Sequence, residues 1–337
     1  MRFRRSVLVT VAASAVLPAF AQFHKNPEKE AANRADRATV LHTASVYAAA
    51  DSADPPVASV TPGHEVVVNQ RNGPWVSVFA NTDNKEEDPD NTPEFSDPKT
   101  QVQPSSGWIR DKGIVSPKTS QGDLLLYGSA ADLEAQAAEP HAPKGAAESA
   151  ELLYRRVWEY FPESPLAPEA AFRSADIRWQ MEKADVSTLP SAHEQDAGLR
   201  PQVYEGQLRK VEKIYPNSTA AAKAAFDLLD NKVCGDWQGL PKCPEMETNL
   251  YLKYADRYPG GPKSPEALLD AVYRQGALVT MYLVDDDRKH SEQAAANCQA
   301  LADRMLKEYP QSDSTDRAQS IAFRVKQGIS VYGSDRD

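Results

Sequence analysis

The residues with the means to do chemistry are few and scattered. The 337-residue chain holds six histidines, at 24, 42, 64, 141, 193 and 290, and three cysteines. Acid–base or metal chemistry needs such groups within reach of one another, and His64-Glu65 and His193-Glu194 both lack a partner histidine at metal-ligand spacing. The chain has no Gly-x-Ser-x-Gly elbow, no phosphate-cradling Gly-x-x-x-x-Gly-Lys loop and no dinucleotide fingerprint. Asp83, Glu86, Glu87, Asp88 and Asp90 offer oxygens to calcium, but without the order and glycine of an EF-hand they read as a solvated acidic loop. The expectation is a protein without catalytic residues, metal or cofactor.

Cysteine chemistry depends on compartment, and the first 21 residues speak to that. Arg2, Arg4 and Arg5 precede an apolar run over residues 7–17, and Ala19-Phe20-Ala21 supplies the small residues of a cleavage site. Residues 1–21 therefore read as a signal peptide, cut near Ala21, of general secretory type; the arginine pair of a twin-arginine signal is present without the rest of that motif. No cysteine follows the apolar run, so no lipid anchor is expected, and no other stretch is apolar enough to span a bilayer. The mature chain is expected to be periplasmic or secreted. In an oxidising compartment Cys234 and Cys243, which bracket the turn-rich GDWQGLPK, are the preferred disulfide. Cys298 is left as a buried thiol, a rival partner for either, or a site of intermolecular pairing. A formal charge of −10 argues against nucleic acid as a partner, since phosphate binding draws on clustered Lys and Arg.

Two textures follow along the chain. Residues 22–38 are polar and read as a flexible leader. Over 39–116 short apolar alternations stand between turn signals, giving about five strands: ASVYA, VASVT, EVVVNQ, WVSVFA and GWIRDKGIV. Within them an acidic, proline-rich loop runs over 81–106, far longer than a hairpin connection needs. Residues 117–145 read as a linker with a short helix, ended by EPHAPKG. From 146 to 332 the pattern is helical, and 333–337 is a tail. Within that region a helix-spaced apolar stripe, an aromatic, a proline and then an alanine-rich helix recur. The prolines stand at 162, 216, 259 and 310. Proline ends the helix before it, and Ser164, Ser218, Ser264 and Ser312 or Ser314 are placed to cap the next. Such helix pairs bury their stripes only by stacking on one another.

The run TASVYAAADS, VASVTPGHEVVV, NGPWVSVF and SGWIRDKGIV, with Gly63, Asn72, Gly73, Trp75, Gly107 and Trp108 at its turn and strand positions, resembles the bacterial SH3-like domain. Pro74 and the long loop depart from that family's pattern. The resemblance implies a small all-β barrel and, as its ligand, peptidoglycan or a wall peptide. Trp75 and Trp108 belong either to the barrel core or rim or, with Tyr47 and Phe79, to a shallow aromatic groove. The aromatic-Pro-x-Ser punctuation resembles the tetratricopeptide-like repeats of bacterial envelope proteins, including outer-membrane assembly lipoproteins and cell-division coordinators. It implies an all-α solenoid, although the proline spacings of 54, 43 and 51 exceed the 34 of a regular array. Tyr154, Trp158 and Trp179 either line its partner-binding surface or pack between repeats. The expected protein is a two-domain, non-enzymatic scaffold of the cell envelope, binding envelope proteins and, through the barrel, peptidoglycan. The alternatives are a periplasmic chaperone or outer-membrane assembly factor, and a targeting subunit of a cell-wall hydrolase.

Overall fold

The computed structural model of the chain describes residues 36–85 and 104–332. The signal peptide, most of the leader, residues 86–103 of the acidic loop with Glu86, Glu87, Asp88 and Asp90, and the tail lie outside the described residues. Two regions follow one another: a small antiparallel β-sheet region, then an all-helical one with nine α-helices among the described residues.

The strands are β1 (Arg37–Val40), β2 (Ala44–Val46), β3 (Ala58–Val60), β4 (Glu65–Asn72), β5 (Trp75–Ala80), β6 (Ser105–Arg110) and β7 (Ile114–Val115). Five of them form a sheet ordered β6-β5-β4-β1-β7, and β2 pairs with β3 as a separate hairpin. Alternation sets the core: Val76, Val78 and Ala80 point inward and meet Val40, Val46, Val60, Val66 and Ile109. Pro74, the departure noted in the sequence, is accommodated without cost. Asn72 pairs with Trp75, so Gly73 and Pro74 make a two-residue turn; Gly73 takes the positive φ of 55° that its first position needs, and proline suits the second. Two boundaries differ from expectation. Strand β1 starts at Arg37, inside the stretch read as leader, because Ala38 and Val40 belong to the core. GWIRDKGIV breaks at the turn through Gly113 into β6 and β7, and β7 crosses to pair with β1 at the far edge.

The helices are α1 (Gly122–Ala137), α2 (Ala146–Tyr160), α3 (Ala167–Ser187), α4 (Gly206–Ile214), α5 (Thr219–Asp227), α6 (Lys242–Arg257), α7 (Ser264–Val284), α8 (Arg288–Glu308) and α9 (Asp313–Lys326). The short helix expected within residues 117–145 is α1, and it packs as the first helix of this region. Leu126 and Ala130, one turn apart on α1, are fully buried against Leu153, Tyr154 and Val157 of α2. EPHAPKG therefore marks a turn between packed helices and not a domain boundary.

The recurring punctuation has one structural meaning. At the ends of α2, α4, α6 and α8 the aromatics Phe161, Tyr215, Tyr258 and Tyr309 leave the helix with nearly the same backbone angles, φ/ψ of −128/60°, −120/56°, −122/60° and −135/53°. Each still donates its N–H four residues back, to Val157, Val211, Tyr254 and Met305. Each then accepts at its carbonyl from the residue three further on: Ser164, Ser218, Gly261 and Ser312. The following proline forbids the helical continuation and so imposes the exit. Four helix pairs, α2–α3, α4–α5, α6–α7 and α8–α9, are thus joined by one kind of turn. The serines diverge in detail. Ser218 and Ser312 cap α5 and α9, accepting from Ala221 and Ser314. Ser164 instead donates to Asp123 on α1 at 2.6 Å, and Ser264 donates to the Tyr258 carbonyl at 2.5 Å.

The sheet and the helices meet at one buried polar junction. Gly63, with φ of 87°, lies so close to α2 that a Cβ there would stand 2.4 Å from Leu152 Cβ and 2.8 Å from the Leu153 nitrogen. Beside it Arg156, 1% exposed, reaches across from α2. Its Nε donates to the Gly63 carbonyl at 3.0 Å, one Nη to Asp83 at 2.6 Å and the other to Glu159 at 2.5 Å. Asp83 sits just beyond β5 and also accepts from the Glu65 backbone at 3.2 Å and lies 3.3 Å from His64 Nδ1. Burial opposes its charge, but the hydrogen bond with His64 and the Arg156 guanidinium hold the carboxyl below the usual carboxylate range.

Gly63→Ala should lower the unfolding free energy by about 2 to 5 kcal/mol in urea titrations, since it adds a left-handed strain to a contact with helix backbone that cannot retreat. Because the folded carboxyl of Asp83 titrates below its unfolded value, its contribution is complete above about pH 4 and fades as pH falls through the lowered value. Urea midpoints measured downward from pH 5 should therefore fall more steeply in the parent protein than in Asp83→Asn.

Candidate functional site

Adjacent strands bring four of the residues singled out in the sequence to one sheet face. Cross-strand partners share a face, and the pairs are Trp75 with Arg110, Ser77 with Trp108 and Phe79 with Ser106. Tyr47 joins them from beyond β2 by exchanging two backbone hydrogen bonds of 2.8 Å with Trp108. Glycine at 107 is what permits this approach: a Cβ there would stand 2.5 Å from both the Tyr47 carbonyl oxygen and Val46 Cγ1. The Tyr47 ring meets the Trp75 indole edge-on at 5.5 Å, and the Arg110 guanidinium lies over that indole, 3.9 Å from its centre.

Exposure divides these rings by role. Trp75 is only 6% exposed, in contact with both Tyr47 and Arg110, and acts as the floor. Tyr47 and Trp108 are half-buried and Phe79 is 36% exposed, so these three present ring surface to solvent. Arg71 and Asp111 form an ion pair nearby, between the end of β4 and the turn after β6. Flat apolar faces edged by guanidinium hydrogen-bond donors suit the stacking of a sugar ring or a peptide side chain. They hold no acid–base pair or nucleophile, and among the described residues no group of three or more His, Cys, Asp or Glu is placed to hold a metal ion.

The aromatics named on the helices are placed otherwise. Tyr154 and Trp179 are both 2% exposed and sit inside the packing between helices. Tyr154 touches the Tyr127 ring of α1 at 5.1 Å and donates to Glu134 at 2.9 Å; burial first, then Tyr127 and Glu169, push its phenol up to about 12. A partner cannot reach either ring, so their expected role on a binding surface gives way to packing. Trp158 is half-buried and carries the Lys210 ammonium 4.7 Å over its ring.

Cys234 and Cys243 are joined in a disulfide, with Cα atoms 6.0 Å apart. Cys298 is buried, its thiol pushed up to about 12 by burial alone, which makes it a poor nucleophile. The disulfide loop is seated on buried Glu247, whose carboxylate accepts from the Cys234 backbone at 2.9 Å, Trp237 Nε1 at 3.1 Å and Arg274 Nε at 2.9 Å. Past α9 the chain doubles back across α7, burying Val331 beside Gly276 and setting the Tyr332 ring 5.5 Å from that of Trp237.

Sequence reading did not single out Arg156, Arg110 or Glu247. For Arg156 a signal exists: it lies three residues after Leu153 and next to Val157, a charge on the apolar stripe itself. Arg110 shares the parity of Trp108, which puts it on the aromatic face once the strand is assigned. Glu247 carries no comparable mark. No family model matches the chain, and no curated protein matches it.

Trp75→Ala should cost about 3 kcal/mol or more in chemical denaturation, as removal of a buried indole does. Phe79→Ala, on the open part of the same face, should change stability by no more than about 0.5 kcal/mol.

Proposed function

We propose that the protein is an exported, non-enzymatic scaffold of the bacterial cell envelope, built from an SH3-like β-barrel and a tetratricopeptide-like solenoid. The barrel binds peptidoglycan or a wall peptide through Tyr47, Phe79 and Trp108 above the fixed Trp75 floor. The helix pairs bind a protein partner. The observation that carries this reading is the aromatic face: rings that present surface to solvent, fixed on a sheet that is tied through Arg156 to stacked helix pairs. A second wall- or peptide-bearing site on the same rigid body raises effective concentration for whatever the helices hold. The repeated turn supports the solenoid half of the reading, because each of the four helix pairs is closed by nearly the same exit from its first helix. The mechanism is recruitment by two non-covalent contacts.

Among the described residues no helix is long and apolar enough to cross a membrane, so attachment in this reading rests on the wall. Sedimentation with purified insoluble peptidoglycan is the direct check. The chain from residue 22 onward should pellet with the wall, and the double variant Phe79→Ala, Trp108→Ala should stay in the supernatant while melting as a folded protein. A parent protein that stays in the supernatant across salt concentrations removes the wall from the reading.

A further inference from the structure

A groove of about 520 Å³ opens between the third and fourth helix pairs. Helices α6 and α8 form its walls and run in the same direction, since Glu245 and His290 share one end and Leu252 and Leu301 line the other. Helix α7 runs back beneath them as the floor, from Gln275 through Leu278 to Tyr282.

The middle of the groove is built of side-chain amides in a continuous chain of hydrogen bonds. Gln293 donates to Asn297 at 2.9 Å, Asn297 to Gln275 at 3.1 Å, and Gln275 to Thr248 at 3.2 Å. Thr248 donates in turn to the Pro244 carbonyl at 2.8 Å. Gln275 is 7% exposed, so the chain fixes the amides from below. On the α6 wall Asn249 is fixed likewise, donating to the Glu245 carbonyl at 3.0 Å. A carboxamide has two N–H groups and two lone pairs, so the exposed Gln293 and Asn297 each retain a donor and an acceptor for a ligand. Their complement is the alternating C=O and N–H of an extended polypeptide.

The two ends differ in chemistry. At one, Glu245 accepts from the Tyr282 hydroxyl and brings a carboxylate to the groove, while the Tyr282 ring stacks against His290 at 5.3 Å. Arg288 and Lys289, in the same turn as His290, do not line it. At the other, Leu252 and Leu301 leave an apolar recess. From Glu245 to Leu252 is seven residues of helix, about 10 Å at 1.5 Å per residue. An extended chain covers that in about three residues.

We infer that this groove binds an extended peptide segment of a partner protein, with a basic side chain at Glu245 and an apolar one between Leu252 and Leu301, two residues apart in between. The inference rests on the reading that the helix pairs dock a protein, and it names the kind of segment docked.

The test is fluorescence anisotropy on the full chain from residue 22 with dye-labelled, acetylated peptides. These carry one Arg and one Leu in an Ala/Ser background, separated by none to five residues. Affinity should peak at two intervening residues. Asn297→Ala, checked for an unchanged melting transition because it removes a donor to buried Gln275, should weaken every peptide by about fivefold or more. Glu245→Gln should weaken the Arg peptides by a similar factor and leave the matching Gln-for-Arg peptide unchanged. Absence of saturation below about 1 mM, or binding indifferent to spacing and to both substitutions, overturns the assignment. Capture of an envelope protein that no such peptide competes away overturns this groove and leaves the scaffold reading standing. Peptide binding as described without wall sedimentation upholds the groove and removes the wall.

Discussion

The relation between the two regions of this protein is set by a buried guanidinium, beside an apolar contact of Leu41 and Val115 with α1 and α2. Arg156 is taken out of water on α2 with one carboxylate, Glu159, from its own helix and two further partners from the sheet region: the Asp83 carboxylate and the Gly63 carbonyl. Each region satisfies its half of the junction only in part: Glu159 serves Arg156, and His64 and the Glu65 backbone serve Asp83. A buried arginine without its carboxylate, or the reverse, costs about 3 to 5 kcal/mol. Separating the regions would take a partner from each, which makes the junction a register device as much as an adhesive. The guanidinium's planar fork has three acceptors at fixed angles, so the sheet can dock on α2 in one orientation only.

That constraint explains features that otherwise look unrelated. Gly63 has no side chain because α2 occupies the space one would need. Asn81 takes a positive φ of 57° at the end of β5, the bend that delivers Asp83 to the helix, and its amide donates to the Ser59 carbonyl to hold that bend. Thr82 and Arg37 both donate to Glu65, bracing the strand ends on either side. The aromatic face is thereby carried on a frame whose orientation to the helix pairs is set.

Much of this was legible in the sequence where local chemistry decides. Proline after an aromatic dictates the helix exit wherever it occurs, so the four turns could be located from residue types. The Asn-Gly hairpin and the alternation of Trp75 through Ala80 likewise gave the central strands. What was not legible depends on partners far away in the chain. Residues 117–145 looked like a linker because α1 has almost no one-sided apolar stripe of its own; it is helical tertiary packing on α2 that buries Leu126 and Ala130. Tyr154 and Trp179 looked like surface candidates because an aromatic's spacing does not say which neighbour will cover it. The groove between the third and fourth pairs escaped notice because amides in helices are ordinarily solvent-facing, and only the stacking of α6 and α8 aligns them.

A stack of helix pairs is most vulnerable at its last member, which has a neighbour on one side only and frays into solvent first. Here the end of the described chain returns across α7 to lay Tyr332 against Trp237, whose loop is closed by the disulfide and seated on Glu247. The strap and the staple make a closed circuit of residues 234–332, so α8 and α9 cannot peel away without first lifting an aromatic stack from α7. Amide protons of the two final helices should consequently exchange together with those of α6 and α7, as one cooperative block, where an open-ended stack would show protection declining toward its end.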